Sequence, residues 1–530
     1  MTVIGIPGRA GRTRRSGPRS RSGRSAGVVL LATALSVTLA ACSGSGSGSG
    51  GSAAPAGAGG ASGGTLRFGT NQQFEDWETV TKQNATFTSL VYESLLGVAA
   101  DGYTLKPQLA TEWKESPLRV DFTLRPDVLF HDGTRFDAAA VVANLERVRK
   151  TPSQYRSQLD AVKSVTAVDD THVRIDLKEP APALVNNLAR LGMYMVSPKA
   201  LADGDWKTKG VGTGPWRYDP KASVKGLRTV VTAFDKYYDK KSVGPARVEV
   251  TQINDPDSLY NALRAGQLDV VWSTPPLAAR AEKEGLKSAW FPSVLWHLQM
   301  YDTDGVFKDK KFRQAVCHAM NPQDYVDAAL GGKGGVPLQR FPEGQPGHDP
   351  ALRGHPHDLD KAKRLMSELG GGKRSFTLVS YDTQRAIAEL FRSQMERIGV
   401  EVELEMPNFP QFLSVYQSGK YPAAILSDGA RSGPYDYYIR KFAPDAAGNP
   451  LKVAYPRLDA SVEKGLDAKT PRDREAAWQE ISTIVDEEAL DCGYFDYSGF
   501  WAYNPKKVDN IVSTHHEVAV FRYKEARPQG

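Results

Sequence analysis

Cysteine is scarce in this chain of 530 residues, which contains three. A disulfide-rich scaffold is therefore excluded, since such folds need many more cysteines for their length. Cys317 and Cys492 lie far apart in the sequence, the first in a helical pattern and the second in a strand-like one. If the protein is exported from the cell, a disulfide between them is permitted. Spacing alone gives no sign that they meet, and we expect two separate buried thiols.

Long apolar runs are also lacking. The uncharged stretch 26–41 is shorter than the roughly 20 residues that a membrane-spanning helix needs. It follows 25 residues with seven Arg and no acidic side chain, a pattern typical of a secretory signal. Leu39-Ala40-Ala41-Cys42 resembles a bacterial lipobox, so we expect residues 1–41 to be removed and Cys42 to carry a lipid. The alternative is an ordinary signal with an incidental Cys, and Arg14-Arg15 leaves Sec and Tat export both open.

An excess of charge is missing from the mature protein. The chain carries a net charge of +6, but its first 25 residues contribute seven of the positive charges. Removal of these seven Arg lowers the net charge from +6 to −1. A nearly neutral body offers no electrostatic surface for nucleic acid, so a nucleic-acid partner is excluded.

Residues 43–64 contain only Gly, Ser, Ala and Pro. Such a segment cannot bury enough apolar surface to fold, and it behaves as a flexible linker. We therefore expect a lipidated Cys42 and a linker over 42–64, followed by a folded body that begins at Thr65. The body is long enough for two or more lobes.

Catalytic motifs are absent from the sequence. The Gly-rich stretch 210–216 lacks the Lys-Ser/Thr ending of a phosphate loop and runs into Pro-Trp, so we interpret it as a turn. From Thr65 onward, neither a Gly-x-Ser-x-Gly nor a His-Glu-x-x-His motif occurs. His348, His355 and His357 lie in a stretch interrupted by Pro and Gly, which favours a loop over a metal site. We therefore expect a protein without catalytic residues, metal or cofactor.

Alternating strand and helix patterns indicate an α/β fold. Residues 375–381 alternate like a strand, a helix capped by Asp382 follows, and Gly399 ends this helix before a strand from Val400. A second such unit runs from 247–250 through a helix begun at Asp255-Pro256 to a strand at 268–271. Each is a crossover that favours parallel pairing. A later helix begins at Thr470, whose side chain is predicted as its cap.

Eight short segments, collinear over nearly the whole mature chain, carry a resemblance to a known family. They are residues 64–69, 91–96, 105–113, 122–125, 128–134, 212–216, 263–270 and 312–316. In this order they resemble the extracytoplasmic solute-binding proteins of bacterial ABC importers, in the dipeptide/oligopeptide/nickel-binding family (family 5).

The resemblance implies a two-lobed α/β fold of the periplasmic-binding-protein type, with two crossover strands between the lobes. The first crossing would use 295–300 and the second 491–497. Lobe I would comprise 65–296 together with 494–530, and lobe II 297–493. The implied partners are a peptide or other small solute and a membrane permease, and we expect a monomer. Alternatives are a non-peptide solute (sugar, opine or metal chelate) or a secreted hydrolase using Asp132 or Asp428.

The resemblance also points to ligand-binding residues. In peptide-binding relatives an Asp four residues before a Pro binds the peptide's amino group. If Pro434 is that Pro, Ala430 occupies the Asp position, so recognition of a free amine is in doubt. Residues 426–438 should still line the cleft. The candidate ligand-binding residues are Asp428, Arg431, Tyr435, Asp436, Arg385 (for an anionic group), Trp77 and Trp296.

Overall fold

The structure is a computed structural model that describes residues 63–82, 84–153, 155–370, 372–428, 433–515 and 521–529. The predicted signal, Cys42 and most of the predicted linker lie outside these residues. In the described part of the chain, every helix is too short or too polar to cross a membrane.

Strands form one large sheet and three small ones. The strands of the described chain are β1 (Thr65–Thr70), β2 (Leu96–Val98), β3 (Leu105–Pro107), β4 (Ala110–Ser116), β5 (Arg119–Leu124), β6 (Val162–Ala167), β7 (His172–Leu177), β8 (Trp216–Tyr218), β9 (Arg228–Ala233), β10 (Arg247–Gln252), β11 (Val270–Ser273), β12 (Lys287–Met300), β13 (Arg374–Val379), β14 (Val400–Glu405), β15 (Ala423–Asp428), β16 (Asp491–Tyr503), β17 (Val508–Asp509) and β18 (Arg527–Pro528).

Helices connect most of these strands. The α-helices of the described chain are α1 (Ala85–Val91), α2 (Ala138–Lys150), α3 (Leu184–Asn187), α4 (Pro198–Asp203), α5 (Trp206–Lys209), α6 (Pro256–Arg264), α7 (Pro275–Lys283), α8 (Lys310–Ala319), α9 (Pro322–Leu330), α10 (Leu359–Glu368), α11 (Arg385–Glu396), α12 (Phe409–Tyr416), α13 (Pro434–Lys441), α14 (Pro456–Asp467) and α15 (Pro471–Glu487).

The large sheet has ten strands in the order β14-β13-β15-β12-β16-β11-β1-β10-β9-β8. Strands β4 to β7 form a separate antiparallel sheet of four strands. Within the large sheet β13 is parallel to β14 and β15, and β1 is parallel to β10 and β11. Two parallel groups of strands therefore flank the antiparallel pair β12 and β16.

Both predicted crossovers are confirmed, and each has a local cause. In β13-α11-β14 the chain leaves α11 through Gly399, which adopts a φ of +77° that favours glycine. The helix begins at Arg385 after a 3₁₀ turn over Asp382–Gln384, so the predicted capping role of Asp382 is wrong. In β10-α6-β11 the Asp255 side chain accepts a hydrogen bond from Ser258 N, as expected of a cap. Strand β1 inserts between β10 and β11.

The later helix and a predicted turn also behave as expected. The Thr470 side chain accepts from Asp473 N at the start of α15. The turn at 210–216 packs against the buried ring of His131, whose Nε2 is 2.9 Å from Gly214 O. Gly212 is required there, since a Cβ on it would lie 2.0 Å from the carbonyl oxygen of Val91. The Gly-rich turn and the segment that carries His131 therefore pack against each other in the scaffold.

Two main hydrophobic cores organise the described body. The first gathers residues from both ends of the chain, among them Phe68, Phe122 and Trp501. The second gathers residues between 278 and 500, among them Trp296 and Phe391. We call the parts around them the first and second lobe. The exact boundaries that we predicted for the lobes stay a prediction.

Cys317 of α8 and Cys492 of β16 form a disulfide, with their Cα atoms 5.8 Å apart. Our expectation of two separate thiols is therefore wrong. The cause is tertiary: the end of α8 packs beside the first residues of β16, and the separation of 175 residues hides this contact in the sequence.

Strands β12 and β16 pass from one lobe to the other. β12 pairs with β15 from Leu295 onward, and β16 pairs with β11 from Phe500 onward. Between these points, Phe291, Pro292 and Val294 lie opposite Gly499, Ser498 and Tyr497, and among the described strands no third one pairs with them. The register shifts between Pro292 and Val294. The sheet narrows here to a ribbon of two strands, which we call the crossing ribbon.

Candidate functional site

The carboxyl ends of the parallel strands in both lobes point toward the crossing ribbon. In the second lobe β15 ends at Asp428, which lies opposite Leu295 of β12. In the first lobe β11 ends at Ser273, which lies opposite Phe500 of β16. Ligands of open α/β sheets bind at the carboxyl ends of strands. The two edges that meet at the crossing ribbon are therefore the candidate site.

The edge of the first lobe presents uncharged polar groups. Gln252, the last residue of β10, is buried and its Oε1 accepts from Phe74 N at 2.7 Å. Its Nε2 is buried and lacks a hydrogen-bond partner among the described residues. Beside it, the side chains of Gln73 and Asn254 are joined by a hydrogen bond of 2.5 Å.

The edge of the second lobe is rich in aromatic side chains. Tyr381 follows β13, and its ring lies 5.1 Å from the rings of both Phe409 and Phe412 at the start of α12. On its other side it lies 6.0 Å from the ring of Trp296 in β12. Burial raises the pKa of Tyr381, whose hydroxyl is hydrogen-bonded to Ser427 and Gln384. A continuous aromatic surface thus runs from the crossing strand to α12.

Beneath this edge lies a buried cluster of charges, which we call the Asp428 cluster: Asp428, Asp491, His297, Arg340, Lys441 and Tyr437. His297 Nε2 is 2.9 Å from Asp428 Oδ2, and its Nδ1 is 2.6 Å from Asp491 Oδ1. A ring that carries protons on both nitrogens donates to both carboxylates. The two carboxylates are thereby joined through one imidazole.

The cations of the cluster neutralise both carboxylates. Arg340 binds Asp428 through Nη2 and Asp491 through Nη1, the latter at 3.2 Å, and lies 3.9 Å above the ring of Tyr437. Lys441 Nζ is 3.3 Å from Asp428 Oδ1. Tyr437 donates its hydroxyl hydrogen to Asp491. Because two carboxylates face Arg340 and Lys441, the Asp428 carboxylate is already compensated within the protein.

Burial and neighbouring charges both shift the pKa values of these groups. Burial alone would raise the pKa of the Asp428 carboxyl, but the charges of Lys441 and Arg340 and the hydrogen bond with His297 hold it well below 3.8. Burial lowers the pKa of Lys441, against the attraction of Asp428. Burial raises the pKa of Tyr437 well above 10.0, and Asp491 adds to this effect.

The structure places the predicted ligand residues in different surroundings. Asp428 belongs to the buried cluster, and Arg431 lies outside the described residues. Tyr435 is half-buried beside Trp478, and burial together with Glu179 of the first lobe raises its pKa. The Asp436 carboxylate pairs with Arg440 at 2.6 Å on the same helix. Arg385 is exposed, and its Nη1 is 3.9 Å from Glu389.

The two predicted tryptophans are both buried. Trp77 lies in the core of the first lobe, with its ring centroid 4.7 Å from Phe74 and 5.2 Å from Tyr218. Trp296 stacks on Phe495 in the second lobe. Trp296 therefore joins the aromatic surface at the crossing ribbon, whereas Trp77 packs inside the first lobe. Their contact with a ligand stays a prediction.

Sequence reasoning missed most of the Asp428 cluster. His297 is a polar residue in the middle of an apolar strand, which was a usable signal. Arg340 comes from a loop, and Tyr437 and Lys441 come from α13, so nothing in their local sequence connects them to Asp428. Three further histidines bind backbone carbonyl oxygens: His348 that of Phe341, His355 that of Asp486 and His357 that of Met320. The described residues contain no cluster of His, Cys, Asp or Glu suited to a metal ion.

The family model for bacterial extracellular solute-binding proteins, family 5 Middle, matches residues 104–449. Over 440 residues the chain is 24% identical to the glutathione-binding protein GsiB of Salmonella paratyphi A, covering 79% of this chain and 81% of that protein. It is 25% identical over 407 residues to the probable D,D-dipeptide-binding periplasmic protein DdpA of Escherichia coli, covering 73% and 75%.

A solved structure has the same fold. HbpA2 from Haemophilus parasuis superposes with a TM-score of 0.77 at 21% identity, covering 88% of this chain and 100% of that chain. The predicted two-lobed α/β fold of the periplasmic-binding-protein type is thereby confirmed.

Proposed function

Because this chain belongs to family 5 of the bacterial extracellular solute-binding proteins, which serve ABC importers, we propose that it captures a short peptide or a similar small solute between its lobes and delivers it to a membrane permease. The observation that carries this proposal is the convergence of both sets of strand ends on the crossing ribbon. A solute held there touches both lobes and so stabilises the form in which they are closed.

The two lobes already touch away from the crossing ribbon. The hydroxyl of Tyr103 in the first lobe donates to Glu343 O of the second lobe at 2.6 Å. Contacts of this kind are made only when the lobes approach each other. They support a closed form in which bound solute would be enclosed.

The class of solute is the finer part of the proposal. GsiB and DdpA are named for glutathione and for D,D-dipeptides, which favours a short peptide over a sugar, an opine or a metal chelate. The candidate ligand-binding residues remain Asp428, Arg431, Tyr435, Asp436, Arg385, Trp77 and Trp296, of which Asp428 and Trp296 lie beside the crossing ribbon.

Binding is tested by thermal unfolding and calorimetry with a panel of di- to pentapeptides and non-peptide solutes. A true ligand at 100 times its Kd should stabilise the fold by about 2.7 kcal/mol. Analysis of each mixture by mass spectrometry should recover the solute unchanged, as expected of a receptor that performs no catalysis. Cleavage of a peptide would contradict the proposal and favour the hydrolase alternative.

Attachment to the cell membrane through a lipid on Cys42 is a separate part of the proposal, supported by the sequence pattern around that residue. Expressed in a bacterium that processes lipoproteins, the protein should partition into the detergent phase, and Cys42→Ser should move it to the aqueous phase. Equal partition of the two forms would contradict the anchor.

A further inference from the structure

The strand edge of the second lobe carries an apolar surface that the described residues leave exposed. Phe409 and Leu413 lie one turn apart on α12, and 64% and 57% of their surfaces are exposed. Together with Tyr381 and Phe412 they form what we call the aromatic ledge. Exposed residues of this size usually lie singly on a soluble protein. Here they are contiguous with the rings at the candidate site.

The ledge is held at the site by its place in the fold. Three residues separate the carboxyl end of β14 from the first residue of α12. Asn408 caps the helix by accepting from Gln411 N. The loop after β13 is tied to this loop, since Asp382 N donates to Pro407 O at 3.0 Å. Within the ledge, the ring of Tyr381 contacts Phe409, and it also contacts Trp296 on the crossing strand.

Uncharged hydrogen-bonding groups lie along the same edges. Trp296 Nε1, Ser380 Oγ and Ser498 Oγ in and near the second lobe are buried, and so is Gln252 Nε2 in the first lobe. Within the described chain none of these four atoms has a hydrogen-bond partner. A buried donor without a partner costs about 1–3 kcal/mol, so each one calls for an explanation. A solute that brings acceptor atoms to these groups supplies one.

The charges at the site are compensated. Asp428, the carboxylate at the end of β15, is held by Arg340, Lys441 and His297. The sequence of residues 429–432, Gly-Ala-Arg-Ser, contains no acidic residue. Asp382 and Arg385, which follow Tyr381, are exposed to solvent.

From these observations we infer that the site recognises its solute through an apolar, preferably aromatic, group on the ledge and through uncharged acceptors facing Trp296, without a salt bridge to a charged amino end. The inference rests on the proposed function and narrows its class of solute. It assigns Phe409 and Leu413 as specificity-determining residues.

Three peptides test it by calorimetry on the purified protein: Gly-Phe-Gly-Gly, the same peptide acetylated at its amino end and amidated at its carboxyl end, and the blocked peptide with Ser in place of Phe. The blocked Phe peptide should bind within threefold of the free one, and the Ser peptide at least tenfold more weakly. Loss of binding on acetylation and amidation would overturn the inference.

Single substitutions test whether the aromatic ledge causes the preference for the Phe peptide. Phe409→Ser should weaken binding of the blocked Phe peptide at least tenfold and leave the Ser peptide unchanged. The matched control is Leu227→Ser, which alters a leucine of the first lobe that is 52% exposed and should change neither. Unchanged binding in Phe409→Ser would mean that the ledge serves another partner, such as the permease, and would overturn the assignment.

A second probe separates this inference from the proposed function. If no peptide binds while a non-peptide solute does, the peptide part of the proposed function is wrong. The uncharged aromatic dye N-phenyl-1-naphthylamine then tests whether the aromatic ledge binds an aromatic group. The affinity of the dye should fall at least tenfold in Phe409→Ser and stay constant in Leu227→Ser. Equal affinities in both variants would overturn the inference.

Discussion

At the scale of single residues, the Asp428 cluster joins distant parts of the chain through buried charges. Its members come from β12, β15, β16, α13 and the loop that carries Arg340, so one set of side chains fixes five segments beside the crossing ribbon. Each carboxylate contacts at least two donors. Removal of one member leaves buried charges without partners, and this is more damaging than loss of a surface ion pair.

Asp428→Asn should therefore destabilise the protein. Arg340 and Lys441 would keep their charges with only Asp491 to balance them, and we expect the free energy of unfolding at pH 7 to fall by about 3–5 kcal/mol. Urea unfolding followed by fluorescence measures this change. The control is Glu389→Gln, which removes an exposed carboxylate paired with Arg392 and should change stability by less than about 1 kcal/mol. Equal effects of the two variants would contradict the compensated cluster.

His131 should make stability depend on pH. Burial lowers the pKa of its ring to about 4 in the folded protein, against about 6.5 in an unfolded chain. Since the unfolded state binds the extra proton, the His131 contribution is fully present above pH 6.5 and is lost as the pH falls through 4. In His131→Gln the slope of unfolding free energy over this range should become smaller. A slope in His131→Gln equal to that of the wild-type protein would contradict this prediction.

The sequence could predict the residues of the site only in part. Asp428 was predicted as a ligand residue because the family resemblance places residues 426–438 beside the cleft, and Trp296 because it lies in the predicted first crossing strand. Their contact with a ligand stays a prediction. Arg340 and His297 could not be found as partners of Asp428, because they lie 88 and 131 residues from it in the sequence. The core position of Trp77 was missed because its neighbours, such as Tyr218, come from distant turns and strands.

At the scale of elements, the disulfide joins α8 to the first residues of β16. The pair lies in the second lobe, on one of the two strands that enter the crossing ribbon. It closes a long loop of the unfolded chain, and such cross-links typically contribute about 2–4 kcal/mol. The role that we expect for it is to hold the end of β16 in place.

A double variant, Cys317→Ser with Cys492→Ser, tests this role. It should lower the free energy of unfolding by about 2–4 kcal/mol, as measured by urea unfolding. A reductant should lower the midpoint of the wild-type protein toward that of the variant and leave the variant unchanged. A wild-type midpoint that does not respond to full reduction would contradict the prediction.

Elements were predicted well where the signal is local. The caps Asp255 and Thr470 begin their helices as expected, because capping depends on residues within one turn. The start of α11 was displaced from Asp382 to Arg385 by a 3₁₀ turn, a form that the apolar pattern does not distinguish. The place of β1 between β10 and β11 could not be predicted, because strand order depends on contacts across the whole chain.

At the scale of the whole molecule, the two-lobed fold was predicted from the resemblance to a known family and from the order of the matching segments. Apolar patterns alone predicted α/β units and did not predict how they are shared between lobes. The structure shows why: residues from both ends of the chain enter the core of the first lobe. Such an arrangement leaves no local trace in the sequence.

Binding should change the shape of the protein. Solution scattering of the purified protein should give a smaller radius of gyration with saturating ligand than without it, because a solute between the lobes favours their closed arrangement. The control is a solute from the same panel that gives no thermal shift, which should leave the radius unchanged. A ligand that binds tightly without any compaction would contradict capture between the lobes.

The crossing ribbon also limits how the two halves can move. Its two short backbone segments, 291–294 and 497–499, remain paired with each other while no third strand flanks them. Sliding one half past the other would break this pairing, whereas bending across the ribbon preserves it. The two lobes should therefore rotate about the ribbon as a hinge. The solute would then enter and leave through the same opening, on the side opposite the hinge.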